Sequence, residues 1–170
     1  QALEDDESLL SYLETHFYNY EEFQNPTADF DYKIRFDTIN GENADKTPII
    51  ESSFLEEKIV TVEDVDYTVY ILKLREGAGE HPTFADSTFV TYRGELLNGI
   101  AFDSAITPIW FDLVSTTQGF VEGITEFGGS SGFVVNPDNT VDWNDDYGIG
   151  AVFVPSGLAY YSTPPSASII

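Results

Sequence analysis

The sequence contains no cysteine, no methionine and only two histidines, His16 and His81. Without thiols the chain forms no disulfide, and two histidines alone are too few for an ordinary zinc site. No apolar run approaches the ~20 residues that a membrane-spanning helix needs. Because a primary translation product begins with methionine and this chain begins with Gln1, we expect a processed or shortened chain.

Positive charge is scarce and unevenly placed. Seven Lys and Arg stand against 30 Asp and Glu, a formal net charge of −23, and none of the seven lies beyond Arg93. Such a chain repels phosphate backbones and anionic headgroups, which argues against nucleic acid and the membrane surface as partners. Solubility, or adaptation to a salty or calcium-rich medium, is the ordinary explanation of this acidity, and a cationic partner is the alternative.

Aromatic residues are abundant, at 15% of the 170 residues, and 42% of the chain is hydrophobic. A chain of this composition is able to bury a core, which argues against global disorder. Its length suits one domain, or one domain with an appendage.

The N-terminal part of the chain predicts a helix followed by β structure. Leu9, Leu13 and Phe17 recur at helical spacing, which predicts the helix, and apolar residues that alternate with charged ones predict the first strand. The predicted elements are a helix over 3–20, a strand over 30–36, a polar loop over 40–57 and a β-rich stretch over 60–74.

From residue 87 onward the pattern predicts strands around one short helix, with Thr116 or Thr117 as its cap. The predicted elements are strands over 89–97 and 109–113, a helix over 119–127, a flexible break over 128–132 and β structure with an acidic loop over 133–154. We therefore predict an α+β fold, with a mainly antiparallel sheet packed on one helix and a small N-terminal helix and strand extension.

Two patterns that carry chemistry in other proteins are weak in this chain. Residues 128–132 match the serine-hydrolase pattern G-x-S-x-G around Ser130, but no histidine follows His81, so the required order fails. Oxygen ligands crowd the segment before Gly148, where calcium is the candidate metal, although the EF-hand spacing is not met. These candidate ligands are Asp138, Asp142, Asn144, Asp145 and Asp146.

An ordered set of short motifs rises above this background. Residues 90–96 read VTYRGEL, and Gly99, FDS at 102–104, GFVEG at 119–123 and PSGLAY at 155–160 follow. The set resembles the FKBP-type peptidyl-prolyl cis-trans isomerases, whose pattern runs V-x-Y-x-G-x-L, G, F-D-S, G-[WF]-x-E-G and P-x-x-L-A-Y-G. The resemblance covers about residues 67–170. The motif sequences are most similar to those of exported or lipid-anchored FKBP-like proteins of Bacteroidetes-type bacteria.

The resemblance implies a division into an N-terminal extension, residues 1–64, and an FKBP-like domain, residues 65–170. It implies isomerisation of X-Pro bonds in proline-containing polypeptides without a cofactor. It also implies a location in the periplasm or cell envelope, with a lipid anchor at an N-terminus that has been removed or is absent from this chain. Neither the client proteins nor the oligomeric state follows from the sequence.

Residue roles are likewise implied by the resemblance. Tyr92 and Phe102 would line an apolar hole for the proline ring, and Asp103 would lie at its rim. Phe120 would form the floor, where many relatives have Trp, and Tyr160 would donate its hydroxyl to a substrate carbonyl.

Four further residues complete the implied substrate site. Ile109 or Trp110 would supply another pocket side chain, and the register does not decide between them. Thr117 would offer its backbone N–H to the ligand, and Ile169 would close the pocket from a C-terminal flap.

Three departures from the family pattern leave other functions open. Tyr161 stands where the family has Gly, the segment between Phe127 and Val154 is longer than in minimal relatives, and the chain ends before the family's last strand. We therefore expect a longer natural chain. The alternatives are a catalytically weak peptide-binding module on the same fold, and a calcium- or glycan-binding surface protein that uses the acidic loop.

Overall fold

The computed structural model describes residues 1–159. Its helices are α1 (Ala2–Thr15), α2 (Tyr20–Gln24), α3 (Gln118–Ile124) and α4 (Ser156–Ala159), with single 3-10 turns at Gly41–Asn43, Ile49–Glu51 and Leu113–Ser115. Its strands are β1 (His16–Tyr18), β2 (Phe36–Thr38), β3 (Leu55–Val62), β4 (Val65–Arg75), β5 (Ser87–Glu95), β6 (Ala101–Asp112), β7 (Phe133–Val135), β8 (Val141–Trp143) and β9 (Ile149–Phe153). All paired strands are antiparallel, so the predicted α+β class is confirmed.

A three-stranded sheet with the order β3-β4-β9 forms the centre of the molecule. Its middle strand β4 is buried on both faces because its side chains alternate between two hydrophobic clusters. Tyr70 and Leu72 pack toward α1, whereas Val69 and Ile71 pack toward Val154 and α4. Helices on both sides of one sheet therefore hold the core.

The β-rich stretch predicted over 60–74 is confirmed as β structure: it contains the end of β3 and most of β4, which form a hairpin that starts at Leu55. Glu63 and Asp64 form its two-residue turn, and both have positive φ, 49° and 62°. This backbone matches the twist of a tight antiparallel hairpin. The predicted division between residues 64 and 65 falls at this turn and stays a prediction.

The N-terminal helix covers one face of the sheet. Leu9 and Leu13 are fully buried against Tyr70, Leu72 and Phe153, as their helical spacing led us to expect. The predicted end at residue 20 is wrong: α1 ends at Thr15, and the next three residues pair with β2 as strand β1. Residues His16–Tyr18 therefore pair with β2 as a strand and do not extend the helix.

Another correction concerns residues 30–36, which do not form the predicted strand. Strand β2 begins only at Phe36, and the preceding segment is irregular, with φ of 55° at Tyr32. Phe30 and Tyr32 both pack on Phe23, with ring centroids 5.0 and 6.3 Å from it. Alternation in the sequence therefore reflects a local aromatic cluster here, not a pleated strand.

Helix α3 lies against the other face of the sheet, close to its predicted position. Two glycines allow the close approach: a Cβ on Gly119 would lie 2.1 Å from Val154, and one on Gly123 would lie 2.3 Å from Val152. Thr117 is the N-cap residue, although its side chain makes no capping bond. This packing fixes the direction in which Phe120, on the same helix, points.

Strands β5 and β6 form a long hairpin beside this helix. It closes through Gly99, which has φ of 81°, and through a bond from the Leu96 N–H to the Ile100 carbonyl. The predicted strand over 89–97 is confirmed within two residues, whereas the strand predicted over 109–113 begins eight residues earlier, at Ala101.

Candidate functional site

Two irregularities in the β5–β6 hairpin shape the candidate site. Glu95 pairs with Ala101 and Gly94 with Asp103, so Phe102 is an extra residue on β6. Between the pairs Val90–Ile109 and Tyr92–Ala105, β6 carries more residues than β5. Extra residues of this kind redirect side chains relative to the regular alternation of a strand.

The side chains of Phe102 and Asp103 consequently lie on the same face of the hairpin. The ring of Phe102 lies over Gly94: a Cβ added there would be 2.5 Å from the Phe102 Cζ atom. Asp103 is the cross-strand partner of Gly94. In a regular strand, two successive side chains would point to opposite faces. The structure therefore brings together two residues that the resemblance places in one pocket.

Tyr92 reaches diagonally across the strands to Asp103. Its hydroxyl donates a hydrogen bond to Asp103 Oδ2 over 2.5 Å. Desolvation by burial, and then the hydrogen bond and negative charge of Asp103, raise the pKa of Tyr92 to about 12. The phenol therefore stays protonated at neutral pH and holds the carboxylate in place.

A row of aromatic rings leads from this pair to helix α3. The centroid of Phe111 lies 4.9 Å from that of Tyr92 and 5.4 Å from that of Phe120, the latter in edge-to-face geometry. Offset and edge-to-face ring pairs of this kind are attractive beyond their buried area. We call Tyr92, Phe102, Asp103, Phe111 and Phe120 the aromatic shelf.

Phe111 is the residue that sequence reasoning missed. Ile109 or Trp110 was expected to supply this pocket side chain, but Trp110 stacks on Phe89, with centroids 5.0 Å apart, on the reverse face of the hairpin. Ile109 shares the face of Phe111 and is 38% exposed, so its place in the site stays a prediction. The apolar alternation of Ile109, Phe111 and Leu113 around Asp112 was the signal that favours Phe111.

The remaining predicted site residues lie at the edges of the described chain. Thr117 precedes α3, and its own N–H has no hydrogen-bond partner among residues 1–159. Helix α4 leads toward Tyr160, but Tyr160, Tyr161 and Ile169 lie outside the described residues. The shelf is open within the described part, since Phe102 is 52% exposed.

Two concave regions of residues 1–159 lie away from the shelf. One is lined by Ala78, Gly79, Glu80, Ser130 and Ser131, and the other by Lys46 and residues 17–22. In the first, the Ser130 hydroxyl has three acceptors within hydrogen-bond distance: the carbonyls of Gly132 and Asn144, and Asp146 Oδ1. The G-x-S-x-G pattern is therefore a self-bonded loop here, and the aromatic row carries the candidate chemistry.

The acidic loop does not assemble a metal centre. Asp138 accepts hydrogen bonds from Thr140, and Asp142 accepts one from Asn136. Asp145 pairs with Arg75, and the pKa of Asp146 is lowered, chiefly by its bonds to Ser131. Within residues 1–159, no three His, Asp or Glu side chains come together in a way that could hold a metal ion.

No helix in residues 1–159 is both long and apolar enough to cross a membrane.

Similarity to proteins of known function is confined to part of the chain. No protein-family model matches the sequence. A stretch of 55 residues, 31% of this chain, is 40% identical to "Peptidyl-prolyl cis-trans isomerase Mip" of Coxiella burnetii. The matched stretch spans 24% of that relative.

Two solved structures are also similar. One is FkpA from Escherichia coli, at 20% identity and a TM-score of 0.48 over 70% of this chain and 48% of FkpA. The other is a peptidyl-prolyl cis-trans isomerase from Pseudomonas syringae pv. tomato, at 18% identity and a TM-score of 0.49 over 70% of this chain and 76% of that one.

Proposed function

We propose that the chain is a peptidyl-prolyl cis-trans isomerase of the FKBP type that acts on proline-containing polypeptides. The observation that carries the proposal is the Tyr92–Asp103 hydrogen bond at the edge of the aromatic shelf. The partial similarity to the Mip isomerase supports the same activity. Tyr92, Phe102, Asp103 and Phe120 belong to the proposed site, and Phe111 joins them.

The chemistry requires no nucleophile and no metal. Rotation about a prolyl peptide bond meets a barrier of ~18–20 kcal/mol, because the planar amide loses its conjugation when it twists. A surface accelerates the rotation if it binds the twisted amide better than the planar one and excludes water from it. The rings of the shelf offer apolar contact to the proline ring, and the N–H of Thr117, which has no partner among residues 1–159, offers a donor to a neighbouring carbonyl.

In this proposal, Asp103 contributes a negative charge that is held in a fixed place at the rim of the shelf. The hydroxyl of Tyr92 occupies one carboxylate oxygen, and the other accepts the Ser104 N–H. Both bonds fix the negative charge at the rim. A fixed charge stabilises a redistributed amide dipole without reorganising during the rotation.

The test is a protease-free isomerisation assay on Leu-Pro and Phe-Pro peptides. We expect acceleration by the wild-type chain, and a loss of about tenfold or more in Phe102→Ala and in Asp103→Asn. Phe54→Ala is the matched control, because Phe54 is also exposed but directly precedes β3, outside the shelf. Equal rates in all folded variants would refute the proposal.

The second candidate is a binding module with weak catalysis on the same fold. Its supporting observations are the open shelf and Phe120 at a position where many FKBP-type relatives have Trp. This candidate predicts that a Leu-Pro peptide binds the shelf, while the isomerisation rate of the peptide stays at the uncatalysed value. Titration of the same peptide by calorimetry therefore separates the two candidates.

We further propose that the isomerase works in the periplasm or cell envelope as a folding helper for exported proteins. This step rests on the family resemblance of the motifs. Osmotic-shock fractionation of the native host tests it: release with periplasmic markers, or recovery with envelope membranes, is expected. Recovery with cytoplasmic markers would overturn it.

A further inference from the structure

The reverse face of the β5–β6 hairpin carries a second group of aromatic side chains. Phe89 stacks on Trp110, and its centroid lies 6.1 Å from that of Trp143, which in turn lies 5.1 Å from Phe133. These four residues, which we call the aromatic patch, join β5–β6 to the small β7–β8 hairpin. All four are between 39% and 61% exposed, a high exposure for a connected set of large rings.

We propose that the aromatic patch docks an extended, cationic and partly apolar polypeptide segment of another protein. Flat aromatic faces attract Lys and Arg side chains as well as apolar ones, and Trp does so best. The patch extends along the hairpin through Val135 and Val141, which share the face of Phe133 and Trp143 and are also exposed.

Charge selects the occupant. Residues 94–170 contain nine carboxylates and no Lys, Arg or His. Asp112 lies two residues beyond Trp110 on the same face of β6. It has no Lys or Arg within ion-pair distance in residues 1–159. A cationic segment would therefore meet the unneutralised charge of Asp112 beside the Trp110 ring.

The same charge disfavours other occupants. A second copy of this chain brings another −23 and would be repelled, as would a nucleic acid or an anionic lipid surface. The patch lies on the opposite face from Phe111 and the shelf, and docking there requires no proline. The inference is therefore independent of the isomerase proposal, and the two fail separately.

The chain carries its own reporter for this surface, because Trp110 and Trp143 are its two tryptophans. The probe is a proline-free peptide of about 12 alternating Lys and Leu residues, and a Glu and Leu peptide of equal length is its control. We expect saturable change in tryptophan emission with the Lys peptide and at least about tenfold weaker binding of the Glu peptide. Raising NaCl to about 0.5 M should weaken the Lys peptide several-fold.

Variants locate the binding. Trp143→Ala should weaken the Lys peptide by about tenfold, read from the remaining Trp110 and from the anisotropy of a labelled peptide. Asp112→Asn should weaken it by a smaller factor, and it keeps an acceptor for the Val114 N–H that Asp112 now binds. Phe54→Ala, an exposed ring outside the patch, should leave the affinity unchanged.

Several results would overturn the inference. They are equal affinity for the Lys and Glu peptides, unchanged affinity in both Trp143→Ala and Asp112→Asn, and saturable binding of a neutral oligosaccharide in place of the peptide. Concentration-dependent dimerisation that shields both tryptophans would also overturn it, because a second copy would then be the occupant.

Discussion

The two faces of the β5–β6 hairpin use the same kinds of residue in different ways. On the shelf face, Tyr92 and Phe111 pack toward helix α3, and the single polar pair is closed by a hydrogen bond. On the reverse face, Trp110 and Phe89 stack on each other and remain exposed beside Asp112, which has no Lys or Arg partner among the described residues 1–159. Aromatic content alone therefore does not distinguish a packed site from a free surface, whereas the elements that cover each face do.

The largest expected difference between the faces is one of stability. Phe111→Ala removes a ring that contacts both Tyr92 and Phe120, so we expect the free energy of unfolding to fall by about 2–3 kcal/mol. Trp110→Ala, one residue away on the reverse face, should lower it by less than about 1 kcal/mol, because the ring is already exposed. Urea unfolding followed by far-UV circular dichroism measures both. Equal losses would break the distinction between the faces.

A smaller effect is expected from Gly94→Ala. Its Cβ would lie 2.5 Å from the Phe102 ring, and the exposed ring is able to swing away, so we expect a loss of about 1 kcal/mol of stability. Isomerisation should fall with it, since Phe102 leaves the shelf. The emission of the two tryptophans on the reverse face should stay unchanged, and a shifted emission would contradict the independence of the faces.

The Tyr92–Asp103 bond makes a prediction about alkaline pH. The pKa of Tyr92 is raised in the folded chain to about 12 from an ordinary 10.0. A raised pKa contributes stability that is complete below pH ~10 and is lost as the pH rises through about 12. Tyr92→Phe should therefore show a shallower stability loss between these values than the wild-type chain.

Asp103→Asn provides the complementary measurement. It removes the carboxylate that adds to the effect of burial, so the pKa of Tyr92 should move toward its ordinary value. Phenolate absorbance near 295 nm, compared with Tyr92→Phe, reports this one hydroxyl. An unchanged titration would mean that Asp103 has no part in holding the proton.

The smallest expected effect concerns the electrostatic field at the patch. Cs⁺ should quench the tryptophans more efficiently than I⁻ at low ionic strength, because the surrounding carboxylates attract the cation and repel the anion. Added NaCl should reduce the difference by screening. Acrylamide, which is neutral, serves as the control for exposure. Equal quenching by both ions at low salt would remove the charge argument for a cationic partner.

Local patterns predicted some elements well and others poorly, for physical reasons. Helix α3 lies close to its predicted position and begins after Thr117, one of its two expected caps. Leu9 and Leu13 are in the core because helical spacing creates one apolar face. The strand expected over 30–36 failed because Phe30 and Tyr32 satisfy their packing on Phe23 without a partner strand. A period-two pattern indicates a strand only when another strand is available to pair with it.

The sequence alone determined the acidity, the lack of thiol and histidine chemistry, the α+β class and the residues from which an isomerase-like site could be built. Only the tertiary structure decided which of them meet. One extra residue in a strand reverses the face of every side chain beyond it. The extra residue Phe102 in β6 therefore lies on the same face as Asp103. Phe111, and not Trp110, meets Tyr92 because the pairing of Thr88 with Phe111 and of Val90 with Ile109 puts these residues on the face of Tyr92. Strand register depends on pairing across the hairpin, which no local run of residues contains.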